Sequence, residues 1–341
     1  MTMDLPDKDT LNRYLENNIE EFDSLVGIDK FSNGQSNPTY LLNAKSGQYV
    51  LRRQPSGELL KSAHAVDREF RVIKALENSD VPVARAFHLC EDRDVIGSLF
   101  YVMSYQEGRI FWDPALPELN NSQRTDIYDE MNRMLAALHD VKIDAVGLSD
   151  FGRAGNYFER QVSRWSKQYK ASETTRIDAM DKLMQWLPEN MPADDGMVSL
   201  IHGDYRIDNV IFHPDQSKAV ALLDWELSTL GHPYADLAYQ CMQLRVDRDD
   251  AIAGLGDADR IALGIPSEDE YVSQYCQRRG ITNITNWDIY LAFSFFRLAA
   301  ILQGVLKRAI EGNASSDKAF VYGKFAPKLA GMAIDLIEEA A

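Results

Sequence analysis

Three short apolar segments around a polar loop constrain this fold more than any other feature of the chain. Their β-like composition predicts strands at residues 198–201, 210–212 and 219–223. The loop His202-Gly203-Asp204-Tyr205-Arg206-Ile207-Asp208-Asn209 joins the first two segments, and a polar turn at 213–217 joins the last two. The second and third strands therefore form a hairpin, which predicts that Asn209, just before it, lies beside Asp224, just after it.

The side chains around this hairpin are those that phosphoryl transfer requires. One carboxylate orients the attacking hydroxyl and accepts its proton, while an amide oxygen and a second carboxylate hold Mg²⁺ against the phosphates of ATP. Asp204, Asn209 and Asp224 have the order and approximate spacing of the kinase catalytic loop and its metal-binding aspartate. The same residue types occur in ordinary loops, but the flanking strands favour the functional interpretation.

These segments resemble the aminoglycoside phosphotransferase and choline kinase-like family, which consists of small-molecule kinases with a protein-kinase-like fold. The continuation Gly231-His232-Pro233-Tyr234-Ala235-Asp236-Leu237-Ala238 is similar to the D-P-x-x-D-L-A-like stretch of that family. A histidine and a proline stand where the first aspartate of the stretch is expected, so the match rests on Asp236.

The resemblance implies a role for each polar residue of the loop. It implies that Asp204 is the catalytic base and that Asn209 and Asp224 bind the metal. ATP and Mg²⁺ are the implied cofactors. His202 and Asp236 are expected to brace the catalytic loop through hydrogen bonds, as structural rather than chemical groups.

The predicted fold is α+β and bilobal. An N-lobe at 1–107 is expected to hold an antiparallel five-stranded sheet with one inserted helix, and a C-lobe at 108–341 is expected to be mainly helical, with the catalytic β-hairpin. In the N-lobe, hydrophobic periodicity predicts helices at 9–22 and 63–77, and strands at 27–32, 39–44, 48–53, 84–90 and 98–103. In the C-lobe it predicts a helix capped by Ser122, and helices at 156–169, 268–279, 286–310 and 316–339.

The turn between the first two strands suits the phosphates of ATP. Backbone N–H groups of such a loop can bind phosphate oxygens, and its side chains add hydroxyl and amide groups. The family has a similar G-x-S-N-x-T-type turn, which assigns nucleotide binding to Gly34, Ser36, Asn37 and Thr39. Without the resemblance, an ordinary polar hairpin turn remains the alternative, since the glycine pattern of protein kinases is absent.

Arg52 occupies the position at which kinases carry the lysine of V-A-I-K. Its expected partner is Glu69 on the following helix, and both residues are assigned to the nucleotide site. Arginine keeps the positive charge, but its planar fork differs from the point charge of lysine. A surface salt bridge between the two residues is the alternative. Arg53 is predicted to point outward, because side chains alternate along a strand.

Residues 101–108 resemble the segment between the two lobes of kinases. Apolar residues end a strand here, and the backbone after Met103 is expected to hydrogen-bond adenine. Met103 and Tyr105 are therefore assigned to the cofactor site, although Met103 is equally compatible with a core position. Gly108 would let the chain turn into the second lobe.

Three arginines are candidates for binding the acceptor. Arg160 and Arg164 lie one turn apart on a predicted helix, and Arg297 interrupts an otherwise apolar one. A buried charge is costly without a partner, so Arg297 pairs either with an internal carboxylate or with an acidic group of the substrate. The segments 51–55 and 62–69 and the segment around Arg160 are most similar to a branch that includes kinase-like domains fused to acyl-CoA dehydrogenases in animals, which implies a hydroxy acid or hydroxyacyl thioester as acceptor.

Other functions remain open at this point. An aminoglycoside-type antibiotic kinase would bind a polycation through an acidic pocket, and acidic residues are plentiful here. A nucleotide-binding pseudokinase is favoured only by Arg52, since Asp204, Asn209 and Asp224 are intact. A metal-dependent phosphohydrolase would need more clustered histidine and carboxylate ligands than the sequence shows.

The composition of the chain excludes several classes of binding partner. A net charge of −16 argues against nucleic acids and against anionic membrane surfaces. The apolar stretch 291–306 is interrupted by Arg297 and Gln303, and it is shorter than the ~20 residues that a membrane span needs. Three scattered cysteines and an N-terminus without an apolar signal core predict a reducing cytoplasm. We expect a small-molecule partner, with the choice between monomer and homodimer left open.

Overall fold

The computed structural model describes residues 7–31, 37–55, 64–248, 253–312 and 319–339. The chain divides into two compact units. The first comprises Met1–Arg109 and Val210–Leu227, and the second comprises Ile110–Asn209 and Ser228–Ala341. The catalytic hairpin therefore packs with the N-terminal residues, while the predicted lobe boundary after residue 107 stays a prediction.

The first unit is built on an antiparallel sheet of five strands, as predicted. The strands are β1 (Leu25–Lys30), β2 (Thr39–Ala44), β3 (Gly47–Arg53), β4 (Ala86–Cys90) and β5 (Phe100–Ser104). Their order in the sheet is β1-β2-β3-β5-β4. Leu42, Leu51 and Val102 are fully buried on three neighbouring strands, so burial of these apolar side chains holds the sheet to its core.

Two helices accompany this sheet. The first, α1 (Lys8–Asn18), begins where Asp7 accepts a hydrogen bond from the backbone of Thr10. It ends earlier than predicted, because Ile19 is already extended. Ile19 and Phe22 are nevertheless buried, so the apolar spacing marked the core correctly but extended the helix too far. The second, α2 (Val66–Leu76), buries one apolar face and Glu69.

The second unit is mainly helical. Its helices are α3 (Asn121–Asp140), α4 (Tyr157–Ser172), α5 (Asp178–Asn190), α6 (Tyr234–Arg245), α7 (Arg260–Leu263), α8 (Glu268–Arg279), α9 (Trp287–Ile310), α10 (Ala319–Gly323) and α11 (Ala326–Glu339). Helix α9 is the centre of this unit, because it packs against α4, α5, α6, α10 and α11. Among the described residues α9 alone is long and apolar enough to cross a membrane by composition, a test that buried core helices also pass.

Two helix predictions were wrong, and some helices were not predicted. Asn120 rather than Ser122 caps α3, since the Asn120 side chain accepts from the backbone of Gln123, whose side chain accepts from the backbone N–H of Asn120 in turn. The single helix predicted at 316–339 is two helices, α10 and α11, in the described part of that segment. Helices α5, α6 and α7 were not predicted.

Four further strands precede or follow the polar loop in sequence. In the first unit β7 (Val210–Phe212) pairs with β8 (Ala219–Leu222), which confirms the predicted hairpin. In the second unit β6 (Ser199–Ile201) pairs with β9 (Thr229–Gly231), a strand that the sequence did not indicate.

Candidate active site

The loop after β6 holds Asp204 and Asn209 together in the second unit. The Asn209 amide donates to the carbonyl oxygen of Asp204 at 2.9 Å and lies 3.3 Å from its carboxylate Oδ2. The backbone N–H of Asp204 donates to Nδ1 of His202 at 3.2 Å. Tyr205 is fully buried and donates its hydroxyl to the carbonyl of Met131, which ties the loop to α3. These contacts fix the carboxylate and the amide relative to each other.

Asp204 is held in its ionised form. Burial by itself would raise the pKa of its carboxyl, but the charges of Arg206 and His202, a hydrogen bond from Tyr239 and the charge of Arg297 outweigh it and lower the pKa. A carboxylate of low basicity orients a hydroxyl better than it removes the proton before transfer. The site therefore supplies an anionic acceptor for a hydroxyl hydrogen at neutral pH.

Asp236 lies beneath this loop, completely buried in α6. Its two carboxylate oxygens accept hydrogen bonds from the backbone N–H groups of His202 at 2.6 Å and Gly203 at 2.8 Å. Burial would raise the pKa of Asp236, but hydrogen bonds from His139 and from the backbone of His202 lower it. The buried carboxylate thus carries the loop backbone through charge-assisted hydrogen bonds, the contacts expected of a bracing residue.

His139 and Tyr275 complete this support, and neither was singled out from the sequence. The ring Nε2 of His139 lies 3.4 Å from Asp236, and its Nδ1 lies 2.7 Å from the hydroxyl of Tyr275. An ionised carboxylate only accepts, so Nε2 carries the proton and Nδ1 accepts from Tyr275. Burial lowers the pKa of His139, which keeps the ring neutral. The sequence feature that could have identified His139 is its position near the end of an apolar helix.

Arg297 resolves the open question about its partner. Its Nη2 donates to the carbonyl oxygen of Gly203 at 2.5 Å, and its guanidinium faces the rings of Tyr239 at 5.2 Å and Trp165 at 5.6 Å. The residue is only 5 % exposed. Its hydrogen-bonding partner among the described residues is thus a backbone carbonyl of the loop, and an internal carboxylate was the wrong expectation.

In the first unit, Arg52 and Glu69 form the predicted pair. Arg52 Nε lies 2.7 Å from Glu69 Oε2, and the two side chains are 14 % and 2 % exposed. The alternative of a surface salt bridge is therefore wrong. Tyr101 donates its hydroxyl to the same carboxylate oxygen at 3.0 Å. Burial raises the pKa of Glu69, and the charge of Arg52 opposes that rise.

Asp224 follows β8 in an unusual backbone conformation. Its φ of 63° lies in the left-handed region, which is uncommon for residues other than glycine and often marks functional sites. Arg52 Nη2 lies 3.3 Å from its Oδ1, and the side chain remains 35 % exposed. One guanidinium therefore contacts both Glu69 and Asp224.

The proposed metal ligands have the chemistry that Mg²⁺ requires. Because the Asn209 nitrogen donates to the Asp204 carbonyl, the amide oxygen is left as the coordinating atom. Asp224 adds an accessible carboxylate, and Mg²⁺ prefers such oxygen ligands together with water and phosphates. No group of three or more histidine, cysteine and carboxylate ligands occurs among the described residues. The predicted pairing of Asn209 with Asp224 stays a prediction.

The assigned nucleotide residues have different surroundings. Gly34 and Ser36 lie outside the described residues. Asn37 is 1 % exposed, and its amide is bound at both ends, donating to Glu69 at 2.7 Å and facing His64 Nδ1 at 2.9 Å. The Thr39 hydroxyl donates to the Asn37 carbonyl at 3.0 Å. The Asn37 side chain therefore links the end of the turn to Glu69.

The neighbouring arginine and the segment after β5 add two details. Arg53 is 3 % exposed, so its predicted outward direction is wrong. Met103 is half-buried within β5, whereas Tyr105 beyond the strand is exposed. A Cβ atom on Gly108 would lie 2.2 Å from the carbonyl oxygen of Phe212, so the close approach of two backbones requires glycine there.

Arg160 and Arg164 line an open pocket on α4 in the second unit, with a volume of about 710 Å³. Arg297 is not among its lining residues. The two α4 arginines are thus together, while the third candidate lies on α9 and contacts the loop at Gly203.

Comparison with known proteins places this geometry in context. A family model described as "Phosphotransferase enzyme family" matches residues 27–271. Acyl-CoA dehydrogenase family member 10 of Mus musculus is 48 % identical over 336 residues, covering 98 % of this chain and 31 % of that protein. Family member 11 of Homo sapiens is 41 % identical over 327 residues, covering 96 % and 42 %. The chain thus spans less than half the length of these curated relatives.

Two solved structures bear on the fold. A crystal structure from Ralstonia eutropha JMP134, described as a candidate aminoglycoside phosphotransferase, is 46 % identical with a TM-score of 0.91, covering 98 % of this chain and 99 % of that one. Choline kinase from Cryptosporidium parvum is 12 % identical with a TM-score of 0.66, covering 98 % and 96 %. The predicted protein-kinase-like fold is confirmed.

Proposed function

Because the chain belongs to the phosphotransferase enzyme family, we propose that it transfers the γ-phosphate of ATP to a hydroxyl group of a small molecule. The observation that supports this most directly is the loop after β6. There Asp204 is ionised, hydrogen-bonded to Asn209 and braced from below by Asp236. Such a rigid, charged loop favours catalysis by positioning and by charge stabilisation.

In this proposal each polar residue has one task. Asp204 accepts a hydrogen bond from the acceptor hydroxyl and orients the hydroxyl oxygen towards the γ-phosphate. Asn209 and Asp224 would hold Mg²⁺, which would neutralise phosphate charge. Arg52, kept in place by Glu69, contacts the phosphates. Asp236 and His139 act only through the loop that they support.

The acceptor that we propose is a hydroxy acid or a hydroxyacyl thioester. Relatives named as acyl-CoA dehydrogenase family members support it, since this chain matches part of their length. Arg160 and Arg164 support it too, because an open pocket exposes them to an anionic group. Arg297 serves the acceptor less directly, since its guanidinium is engaged with Gly203.

Two alternatives make different predictions. An antibiotic kinase of the aminoglycoside type would need an acidic acceptor pocket, whereas the α4 pocket has more basic than acidic side chains. A pseudokinase would bind nucleotide without forming product. We also propose a cytoplasmic location, consistent with three buried cysteines that form no disulfide.

A phosphotransfer assay tests the proposal. The protein is incubated with ATP and Mg²⁺ against hydroxy acids, their CoA thioesters, aminoglycosides and small amino-alcohols, and products are read by mass spectrometry. We expect a product with one added phosphate from an anionic acceptor, and its loss in the Asp204→Asn variant. Nucleotide binding without product from any acceptor would favour the pseudokinase, and a phosphorylated aminoglycoside would replace the proposed acceptor.

A further inference from the structure

The pocket on α4, called the α4 pocket below, has a charge opposite to that of the chain. Its ionisable lining residues are the cationic Arg153, Arg160, Arg164 and Lys167 and the acidic Glu159 and Asp194. Four positive charges against two negative ones leave an excess of two in a chain whose net charge is −16. A local field of this sign attracts anions.

The four cations of the α4 pocket have no carboxylate partner among the described residues. Within the described part of the chain, none of the four pairs with a carboxylate oxygen within 4.0 Å. Arg160 Nη2 instead donates to the carbonyl of Arg153 at 2.6 Å. Burial and then the charge of Arg153 lower the pKa of Arg160, since both oppose its positive charge. A bound anion would relieve this repulsion.

A single aromatic side chain connects this pocket with the catalytic loop. The guanidinium of Arg164 lies 5.4 Å from the ring of Trp165, and that of Arg297 lies 5.6 Å from the same ring. Arg297 in turn donates to the carbonyl of Gly203, next to Asp204. These contacts link the α4 pocket, through Trp165 and Arg297, to the residue next to Asp204.

We propose that the α4 pocket binds a doubly charged oxyanion of the phosphate-ester type. This group is part of the acceptor molecule and lies at a distance from the hydroxyl that reacts. This inference rests on the proposed phosphotransferase function and adds Arg153 and Lys167 to the acceptor site. A dianion matches the excess of two positive charges, whereas a single carboxylate leaves one charge unmatched. Guanidinium groups suit phosphate oxygens because their planar N–H donors bind two oxygens at once.

Arginine footprinting tests the binding without any turnover. Phenylglyoxal modification of each arginine is followed by peptide mass spectrometry in inorganic pyrophosphate, in acetate and in chloride at equal ionic strength. We expect pyrophosphate to slow modification of Arg160 and Arg164, and acetate to do so much less. Arg308, exposed on α9, is the matched control. Equal protection of Arg308, or none at Arg160 and Arg164, overturns the proposal.

Kinetics then distinguish a group on the acceptor from a free anion. The assay compares an acceptor with and without a phosphate ester, using Arg164→Ala, Lys167→Ala and the control Arg308→Ala. We expect the first two variants to raise KM about tenfold for the phosphorylated acceptor, with kcat unchanged. KM for the unphosphorylated acceptor should rise much less in these two variants, and Arg308→Ala should change neither KM. An equal rise in KM for both acceptors contradicts the proposal. Inhibition by free phosphate that is the same for both acceptors contradicts it too.

The two experiments separate this inference from the proposed function. Protection of Arg160 and Arg164 without phosphotransfer to any acceptor would refute the kinase but keep the anion site. Phosphotransfer with unprotected arginines would keep the kinase and refute the anion site.

Discussion

Replacing Asp236 by Asn perturbs the support of the catalytic loop with almost no change in volume. The carboxylate accepts from the N–H groups of His202 and Gly203 at 2.6 and 2.8 Å, each a charge-assisted bond worth about 1.5–3 kcal/mol. Asparagine keeps one oxygen, so one buried backbone N–H must face an NH₂ group. We expect a loss of about 3–5 kcal/mol in the free energy of unfolding of the second unit.

Thermal unfolding followed by circular dichroism measures this loss. The Asp236→Asn protein should unfold on the order of 10 °C below the wild type at pH 7.5. Asp335→Asn, an exposed change on α11, is the matched control and should unfold with the wild type. An Asp236→Asn protein that unfolds at the control temperature would refute the bracing argument.

The pH dependence supplies a second check on the same variant. Because the folded-state pKa of Asp236 is lowered, its stabilisation is complete above the unfolded pKa of about 3.9 and is lost as pH falls through the folded value. The stability difference between wild type and Asp236→Asn should therefore be constant from about pH 8 to 5 and narrow only below about pH 4. If the stability difference narrowed at a higher pH, the titration of another group would be responsible for it.

Four further changes have expected outcomes. Arg52→Lys should raise KM for ATP about tenfold in steady-state assays, since one ammonium cannot contact both Glu69 and Asp224 as the fork does; an unchanged KM would show that charge alone suffices. Arg297→Ala should lower kcat about tenfold or more with little change in acceptor KM, whereas a rise in KM alone would make it an acceptor ligand. Gly108→Ala should lower the unfolding temperature of the first unit, while the unhindered Gly331→Ala should not. Since the pKa of Asp204 is lowered, kcat/KM should show no loss from its protonation between about pH 8 and 5, and an acidic limb within that range would contradict its ionised state.

The local patterns predicted most of the secondary structure but not its ends. Strand β2 and helix α8 have the predicted bounds, and α8 begins after a Ser267 cap and ends before Gly280. The helix predicted at 9–22 ended at Asn18, since apolar residues continued at helical spacing into a non-helical segment. Asn120, rather than Ser122, capped α3, because two neighbouring polar residues were both suitable and only the backbone geometry chose between them.

The sequence likewise predicted some features of the candidate site and not others. Asp204, Asn209 and Asp224 could be assigned from the sequence because the loop and hairpin that carry them are contiguous and follow a family pattern. The pair of Arg52 and Glu69 followed from the same resemblance, but its burial did not. Alternation along a strand predicts which face of the sheet a side chain lies on, but not whether that face is covered. The burial of Arg53 therefore depended on what packs against its face of the sheet.

The sequence by itself determined the fold class and the candidate reacting groups of this protein, since both depend on short-range patterns of apolar and polar residues. Only the tertiary structure decided which side chains hold those groups in place. His139 meets Asp236 from 97 positions away, and Arg297 meets the carbonyl of Gly203 from 94 positions away. Such contacts depend on how α3, α6 and α9 pack, and no local pattern records that packing.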